Sequence, residues 1–128
     1  MNKLQVIKSY FEALAKGDVP TAFSFYASNA KWHQPGSHRF SGIKNNPDEI
    51  GAMIADMMED TEGTLIIAAN GPLMESGDLV AAPVRFTATK GSKKLDMGGI
   101  DLFEIKEGKI IKVWLFSEDQ QIENEFWG

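Results

Sequence analysis

The chain has 128 residues, of which 43% are hydrophobic and 24% charged, and its formal net charge is −5. This length predicts one domain over residues 1–128, and the acidic balance argues against a nucleic-acid partner, which would favour basic clusters. The absence of cysteine excludes a disulfide framework, a thiolate nucleophile and the usual zinc sites. No apolar run reaches membrane-spanning length and no apolar signal segment is found near Met1. We therefore expect a cytoplasmic protein with no membrane partner, metal or other cofactor.

Two helices are predicted at the start of the chain. Apolar residues recur with helical spacing over residues 3–16 and meet Gly17-Asp18, which is typical of a helix end. Asp18 is suited to cap a second short helix with Pro20 in its first turn. The apolar contacts of that helix would come from Ala22, Phe23, Phe25, Tyr26 and Ala27.

A short strand, a loop and a third helix are predicted next. Residues 30–35 are typical of a strand that ends at a proline, and the loop over residues 36–46 could border a pocket. Asn46 is a suitable N-cap for the third helix. Its buried face would carry Ile50, Met53, Ile54, Met57 and Met58, and the methionines make that face adaptable.

From Thr64 onward, hydrophobicity alternates with period two. Turns at residues 75–78, 90–93 and 106–109 divide this part into four strands, which indicates an antiparallel meander. In the second strand, Arg85 is predicted to face outward. Three helices followed by this sheet indicate the α+β class. The apolar face of the second strand would carry Val80, Ala82, Val84, Phe86 and Ala88.

Asp101 lies on a strand face that is otherwise apolar. Alternation over residues 95–105 places it beside Met97 and Phe103. A carboxylate there loses its hydration, so we expect it to be neutral, paired, or facing a water-filled cavity. The structural alternative is a bulge at Gly98-Gly99 that turns Asp101 toward solvent or toward a lysine.

Two further regions contain candidate polar groups. Tyr10 belongs to the buried edge of the first helix, so its hydroxyl needs either a backbone carbonyl or a ligand oxygen as a partner. His33 and Gln34 point to opposite faces of one strand, so at most one of them faces inward. A histidine beside Trp32 is more often a packing residue than a base.

The sequence pattern at the end of the chain does not indicate which face of the last strand is buried. In the last strand Lys112, Trp114 and Phe116 alternate with Ile111, Val113 and Leu115, and either set could face inward. Phe126 and Trp127 are expected to pack on the domain, with a partner contact as the alternative.

Several of these segments resemble bacterial ketosteroid isomerase, a member of the nuclear-transport-factor-like (SnoaL-like) superfamily. Residues 6–18 resemble its first helix, and residues 100–103, 108–110 and 115–118 resemble its last two strands. The resemblance spans nearly the whole chain. It implies a cone-shaped, cystatin-like α+β fold with three N-terminal helices on a strongly curved, mainly antiparallel sheet. The superfamily includes polyketide cyclases and limonene epoxide hydrolase, so the resemblance specifies fold more strongly than function.

The resemblance implies that Tyr10 and Asp101 match two donors that hydrogen-bond a developing enolate oxygen. The isomerase base precedes a proline on the first strand, and Gln34 stands there in this chain. Glutamine cannot act as a general base. A substrate group, His33 or His38 would have to replace it.

We therefore predict an isomerase-like protein that binds a small apolar or aromatic molecule with a carbonyl or phenol oxygen. Proton transfer next to a carbonyl is the expected reaction class if the protein is an enzyme. If the face of Trp114 lines the cavity, that tryptophan would shrink it, and Lys112 could ionise Asp101 by pairing. The predicted ligand contacts are Trp32, Gln34, Met53, Met57, Phe86, Phe103, Trp114 and Phe116.

Two alternatives remain open. A ligand-binding or dimerisation module without catalysis would use Trp32 or Trp114, with Thr87, as a contact surface. Polyketide cyclase or epoxide hydrolase chemistry would require Arg85 to face the cavity. We expect a homodimer, which is compatible with each of these functions.

Overall fold

The computed structural model describes residues 1–128, which form four helices and seven strands. The helices are α1 (Lys3–Ala15), α2 (Val19–Ser24), α3 (Pro47–Asp60) and α4 (Gln120–Trp127). The strands are β1 (Tyr26–Gln34), β2 (Gly42–Lys44), β3 (Ile66–Ala69), β4 (Met74–Ser76), β5 (Leu79–Lys90), β6 (Lys93–Lys106) and β7 (Lys109–Ser117). None of the helices combines the length and the apolar content that crossing a membrane requires.

Capping side chains explain where the first three helices begin. The side chain of Asn2 accepts a hydrogen bond from the Gln5 N–H, and the Gln5 side chain accepts one from the Asn2 N–H in return. Asp18 and Asn46 accept equivalent bonds at the starts of α2 and α3. Gly17, with a φ of +72°, lets the chain turn after α1. These starts agree with the sequence prediction.

The strands form one curved, unclosed sheet in the order β2-β1-β7-β6-β5-β3, with β4 also paired to β5. All pairs are antiparallel except β1 with β7, which is parallel. The register places Asp101 of β6 opposite Ala82 of β5 and Leu115 of β7. Pairing with β5 runs without a shift through Gly98 and Gly99, so the bulge that was the structural alternative for Asp101 is not formed.

The helices cover the inner face of the sheet, and the core lies between them. Tyr10 and Phe11 of α1 and Met53 and Met57 of α3 belong to this core. On β5 the alternate residues from Val80 to Val84, and then Ala88, are buried, as the period-two pattern predicted. The predicted α+β class, with helices packed on a curved and mainly antiparallel sheet, is confirmed.

The second helix is shorter than the sequence predicted. It ends at Ser24, and Tyr26 and Ala27 belong to β1 instead. Tyr26 pairs with Ile110 of β7, and the Ile110 N–H donates a hydrogen bond to the Phe25 carbonyl. Sheet pairing thus overrides the helical spacing of these aromatic residues.

A fourth helix follows the last strand, where no helix was predicted. Its N-cap is Asp119, whose carboxylate accepts a hydrogen bond of 3.1 Å from the Ile122 N–H. Phe126 and Trp127 are only 3% and 2% exposed, so they pack on the domain as predicted. Helix α4 closes one end of the space between α3 and the sheet.

Candidate functional site

A narrow apolar cavity lies between α3, α4 and the inner face of the sheet. Its volume is about 50 Å³, whereas pockets for drug-sized ligands have about 300–1,000 Å³. A larger ligand would therefore require side chains to move, which flexible methionines allow. The polar lining residues are Gln34, Asp101, Ser117 and Glu123. The other lining residues are Trp32, Pro35, Met53, Ile54, Met57, Leu65, Ile67, Val84, Phe86, Leu115, Phe116 and Trp127.

Asp101 faces this cavity from the middle of the sheet. Its side chain is buried, with 5% of the residue exposed, and no hydrogen bond or ion pair within the protein supports the charged form. Burial, together with the negative charge of Glu123, raises the pKa of the Asp101 carboxyl to about 7. Near neutral pH a large fraction of the carboxyl groups is protonated and can donate a hydrogen bond.

Tyr10 lies behind the cavity, outside its lining. Its hydroxyl is 2.7 Å from the hydroxyl of Tyr26, so its partner is a second tyrosine and neither a backbone carbonyl nor a ligand. Burial raises the pKa of both phenols, and the charge of Asp101 raises them further. Asp101 and the two hydroxyls are therefore within electrostatic reach of one another.

Gln34 occupies the cavity wall, and its neighbour Trp32 fixes its orientation. The Trp32 indole N–H donates a hydrogen bond of 2.8 Å to the side-chain oxygen of Gln34. Because an indole N–H can only donate, the amide must present its oxygen to Trp32 and its NH₂ elsewhere. Gln34 thus supplies hydrogen-bond donors in the cavity wall.

Glu123 of α4 is the second carboxyl group of the cavity and was missed in the sequence. It is 5% exposed. Oε1 accepts hydrogen bonds from the Ser117 hydroxyl at 2.6 Å and the Gln120 amide at 3.0 Å. Oε2 accepts one from the Trp127 indole at 3.3 Å. A carboxylate accepts without donating, and these three donors solvate its charge inside the protein.

His33 lies on the outer face of the sheet, away from the cavity. Its ring stacks on Trp114 with 5.4 Å between the ring centroids. Lys112 is on the same face, with Nζ 6.0 Å from the Trp114 ring centroid. The face of Trp114 and Lys112 therefore does not line the cavity, and the condition under which Trp114 would shrink it and Lys112 could pair with Asp101 is not met. Ile110, Val113 and Leu115 form the inward face of β7, because their side chains belong to the core or pack against it.

His38 is buried behind α4 and does not line the cavity. Its Nδ1 accepts a hydrogen bond of 3.1 Å from the Phe40 N–H, and its ring lies 6.4 Å from that of Trp127. Burial lowers the pKa of His38 below its usual value. The loop thus holds His38, which was expected to be able to replace the base, away from the cavity.

The predicted ligand contacts are only partly brought together. Met53, Met57 and Phe86 line the cavity, as do Trp32 and Gln34, and Phe116 borders it although 57% of that residue is exposed on the outer face of the sheet. Phe103 is fully buried beneath the ring of Tyr10, with centroids 5.7 Å apart, and belongs to the core. Four of the predicted site residues are therefore absent from the lining besides Tyr10, namely His33, His38, Phe103 and Trp114.

Arg85 faces solvent, as predicted. Its Nε donates a hydrogen bond of 2.8 Å to Asp96 on the neighbouring strand. It does not reach Asp101, which is on the opposite face of β6. The arginine that cyclase or epoxide chemistry would require is therefore not in the cavity.

A larger depression of about 860 Å³ lies open to solvent beside α3. Its charged groups include Arg39 and Asp60, which form an ion pair of 3.2 Å with each other. The depression does not contain Asp101 or Gln34. No group of three or more His, Asp or Glu side chains in the protein is arranged to hold a metal ion.

Comparison with known proteins identifies related chains. The model of the SnoaL-like domain family matches residues 7–113. A Xanthomonas campestris protein with a cystatin-like fold is 41% identical, with a TM-score of 0.94 over 100% of this chain and 99% of the other. Bal32a, from a soil-derived mobile gene cassette, is 30% identical, with a TM-score of 0.91 over 97% and 95%. TerC, co-crystallised with polyporic acid, is 16% identical with a TM-score of 0.82 over 95% of each chain, a likeness of fold alone.

Proposed function

Because this chain belongs to the SnoaL-like domain family, we propose that its cavity binds a small organic molecule through a carbonyl or phenol oxygen. One observation carries the proposal: Asp101 is buried in an apolar cavity, and its carboxyl has no partner within the protein. A buried polar group without a partner is costly, so a ligand oxygen that accepts its proton would bind favourably.

Gln34 would be the second donor of this site. Its oxygen is occupied by Trp32, and its amide NH₂ remains free to reach the ligand. Two neutral donors in an apolar surrounding stabilise charge that develops on a carbonyl oxygen, as in an oxyanion hole.

The reaction class that this arrangement favours is isomerase-like proton transfer at the carbon next to a carbonyl. Asp101 and Gln34 would stabilise the enolate oxygen, as the resemblance to ketosteroid isomerase implies for Asp101. The fold neighbour TerC has been co-crystallised with polyporic acid, which supports a small molecule as the ligand of this fold. A cavity of about 50 Å³ favours a small or flat ligand.

Binding of cyclohexanone tests the proposal directly, because its only polar atom is a carbonyl oxygen. We expect saturation-transfer NMR to detect binding to the wild type at pH 6. Asp101→Leu keeps the branched shape of the side chain but removes the donor, and it should weaken binding about tenfold. Asp101→Asn retains N–H donors and should weaken it less.

Asp96→Asn is the matched control, since Asp96 lies on the same strand but faces solvent. It should bind cyclohexanone like the wild type. If Asp101→Leu folds and binds as tightly as the wild type, the donor role of Asp101 is wrong.

We also propose that the protein is a homodimer that contacts its copy through the outer face of the sheet. Ile100 and Phe116 lie opposite each other on that face and are 37% and 57% exposed, beside Trp114. Trp32, a predicted contact, is buried at 4% exposure and cannot take part. Sedimentation of Ile100→Lys should report a monomer, whereas Ile66→Lys on edge strand β3 should behave like the wild type.

A further inference from the structure

We propose that Glu123 is the general base of the cavity and accepts the proton that Gln34, as an amide, cannot accept. The inference rests on the proposed function, because it assigns the proton acceptor for a carbonyl compound held by Asp101. Both carboxyl groups line one cavity and both are about 95% buried.

The surroundings of the two carboxyl groups give them complementary roles. Asp101 receives no hydrogen bond from the protein, and its burial disfavours the charged form of the carboxyl. Glu123 receives three hydrogen bonds, from Ser117, Gln120 and Trp127. One group is thus suited to donate a proton in a hydrogen bond and the other to accept one.

The hydrogen bonds also indicate which oxygen would act. Oε1 of Glu123 accepts two bonds, at 2.6 and 3.0 Å, and both its lone pairs are engaged. Oε2 accepts a single bond, from the Trp127 indole at the longer distance of 3.3 Å. Oε2 therefore retains a lone pair for a proton of the ligand.

The step balances without a further reactant. Oε2 of Glu123 removes a proton from the carbon next to the ligand carbonyl, and the C–H bonding pair becomes the enolate π-bond as the carbonyl oxygen takes the negative charge. Asp101 and Gln34 hydrogen-bond that oxygen. Glu123 then returns the proton to carbon, either the same atom or one conjugated with it, and the carboxylate is restored.

Helix α4 supplies the base and also shields it from water. Trp127, one turn after Glu123, lines the cavity and donates to Oε2. In the isomerase-like pattern the base would stand on β1, at the position of Gln34. This chain places its second carboxyl group on the last helix instead.

Hydrogen–deuterium exchange of cyclohexanone in D₂O, followed by NMR, tests this assignment. We expect the wild type to accelerate exchange at the carbons next to the carbonyl. Glu123→Gln should lower the protein-catalysed rate by about 100-fold or more, since general bases contribute on that order. Cyclohexanone binding should change less than threefold. The matched control is Glu125→Gln, an exposed residue of the same helix, which should leave exchange unchanged.

Other outcomes separate the two proposals. Exchange that persists in folded Glu123→Gln would overturn the role of Glu123 and leave ligand binding intact. A wild type that binds cyclohexanone without exchange would do the same. A wild type that does not bind it would contradict the proposed function itself.

Glu123→Asp provides the test if Glu123→Gln does not fold. It keeps the charge but withdraws the carboxylate by one methylene group. We expect exchange to fall about tenfold or more while binding persists, because proton transfer requires hydrogen-bond reach. An unchanged exchange rate would contradict the assignment.

Discussion

The indole N–H of Trp32 donates a hydrogen bond of 2.8 Å to the side-chain oxygen of Gln34, two residues along β1. Both residues are buried and both line the cavity. The amide oxygen of Gln34 accepts this bond, so the amide NH₂ points elsewhere and remains available as a donor. At the position where the resemblance places a base, which accepts a proton, this chain therefore presents a hydrogen-bond donor.

Removal of this acceptor should destabilise the protein through Trp32. Gln34→Leu would leave a buried indole N–H without a partner and should lower the free energy of unfolding by about 1–3 kcal/mol. In a Trp32→Phe background the same substitution should cost less, because no donor is then left unsatisfied. Urea denaturation of the four proteins measures the difference. An equal cost in both backgrounds would show that the hydrogen bond does not contribute.

Stability should fall with rising pH because of Asp101. Its pKa is raised from 3.8 to about 7 in the folded protein, so between these values the folded state holds a proton that the unfolded state has lost. The protonated Asp101 carboxyl thus adds to the free energy of unfolding, by at most about 4 kcal/mol. This stabilising contribution is fully present below about pH 4 and is lost as the pH rises through about 7.

Asp101→Asn isolates this contribution, since the amide does not ionise. We expect the variant to gain stability relative to the wild type as the pH increases from 5 to 8, measured by urea denaturation with an unchanged m-value. Asp96→Asn, exposed on the same strand, should show no such trend. A constant difference between Asp101→Asn and the wild type across this range would contradict the shifted pKa.

The tyrosine pair should show strong energetic coupling. Tyr10→Phe and Tyr26→Phe each leave the remaining hydroxyl buried without its partner at 2.7 Å, and each should cost about 1–3 kcal/mol. The double substitution should cost less than the sum of the two by about 1 kcal/mol, because no orphan hydroxyl remains. Additive costs in this cycle would indicate that the two hydroxyls do not interact.

Local signals in the sequence predicted the fold and the location of Asp101. Capping residues such as Asn46 mark helix starts through bonds made within one turn, and alternation alone places Asp101 on the inner face of β6. Contacts between residues that are far apart in the sequence were not predictable in this way. The Tyr10 hydroxyl meets Tyr26, whose place in β1 depends on pairing with β7.

The last 20 residues show a second reason for error. Both faces of β7 carry large apolar side chains, so periodicity defines two sets of residues without indicating which is buried. Helix α4 is eight residues long, and short helices give weak periodic signals. Asp119 followed by Ile122 and Phe126 at i, i+4 spacing was a usable signal for this helix. Glu123 was missed because α4 was missed.

Helix α4 should depend on Lys90 for its docking. Lys90 Nζ donates to the carbonyls of Phe126 at 3.4 Å and Trp127 at 3.1 Å, and pairs with Asp60 of α3 at 3.1 Å. Carbonyls at a helix C-terminus lack partners within the helix and favour a nearby cation. One ammonium group therefore joins the end of α4 to α3.

Lys90→Met keeps the aliphatic stem and removes these bonds. We expect faster backbone hydrogen exchange in α4 and a loss of about 1 kcal/mol of stability, a small value because the lysine is partly exposed. Lys93→Met is the matched control, since Lys93 donates only to the exposed Glu125 carbonyl at 3.3 Å. Equal exchange of α4 in the wild type and Lys90→Met would contradict the anchoring role. Because Glu123 and Trp127 reach the cavity from this helix, faster opening of α4 should also weaken cyclohexanone binding.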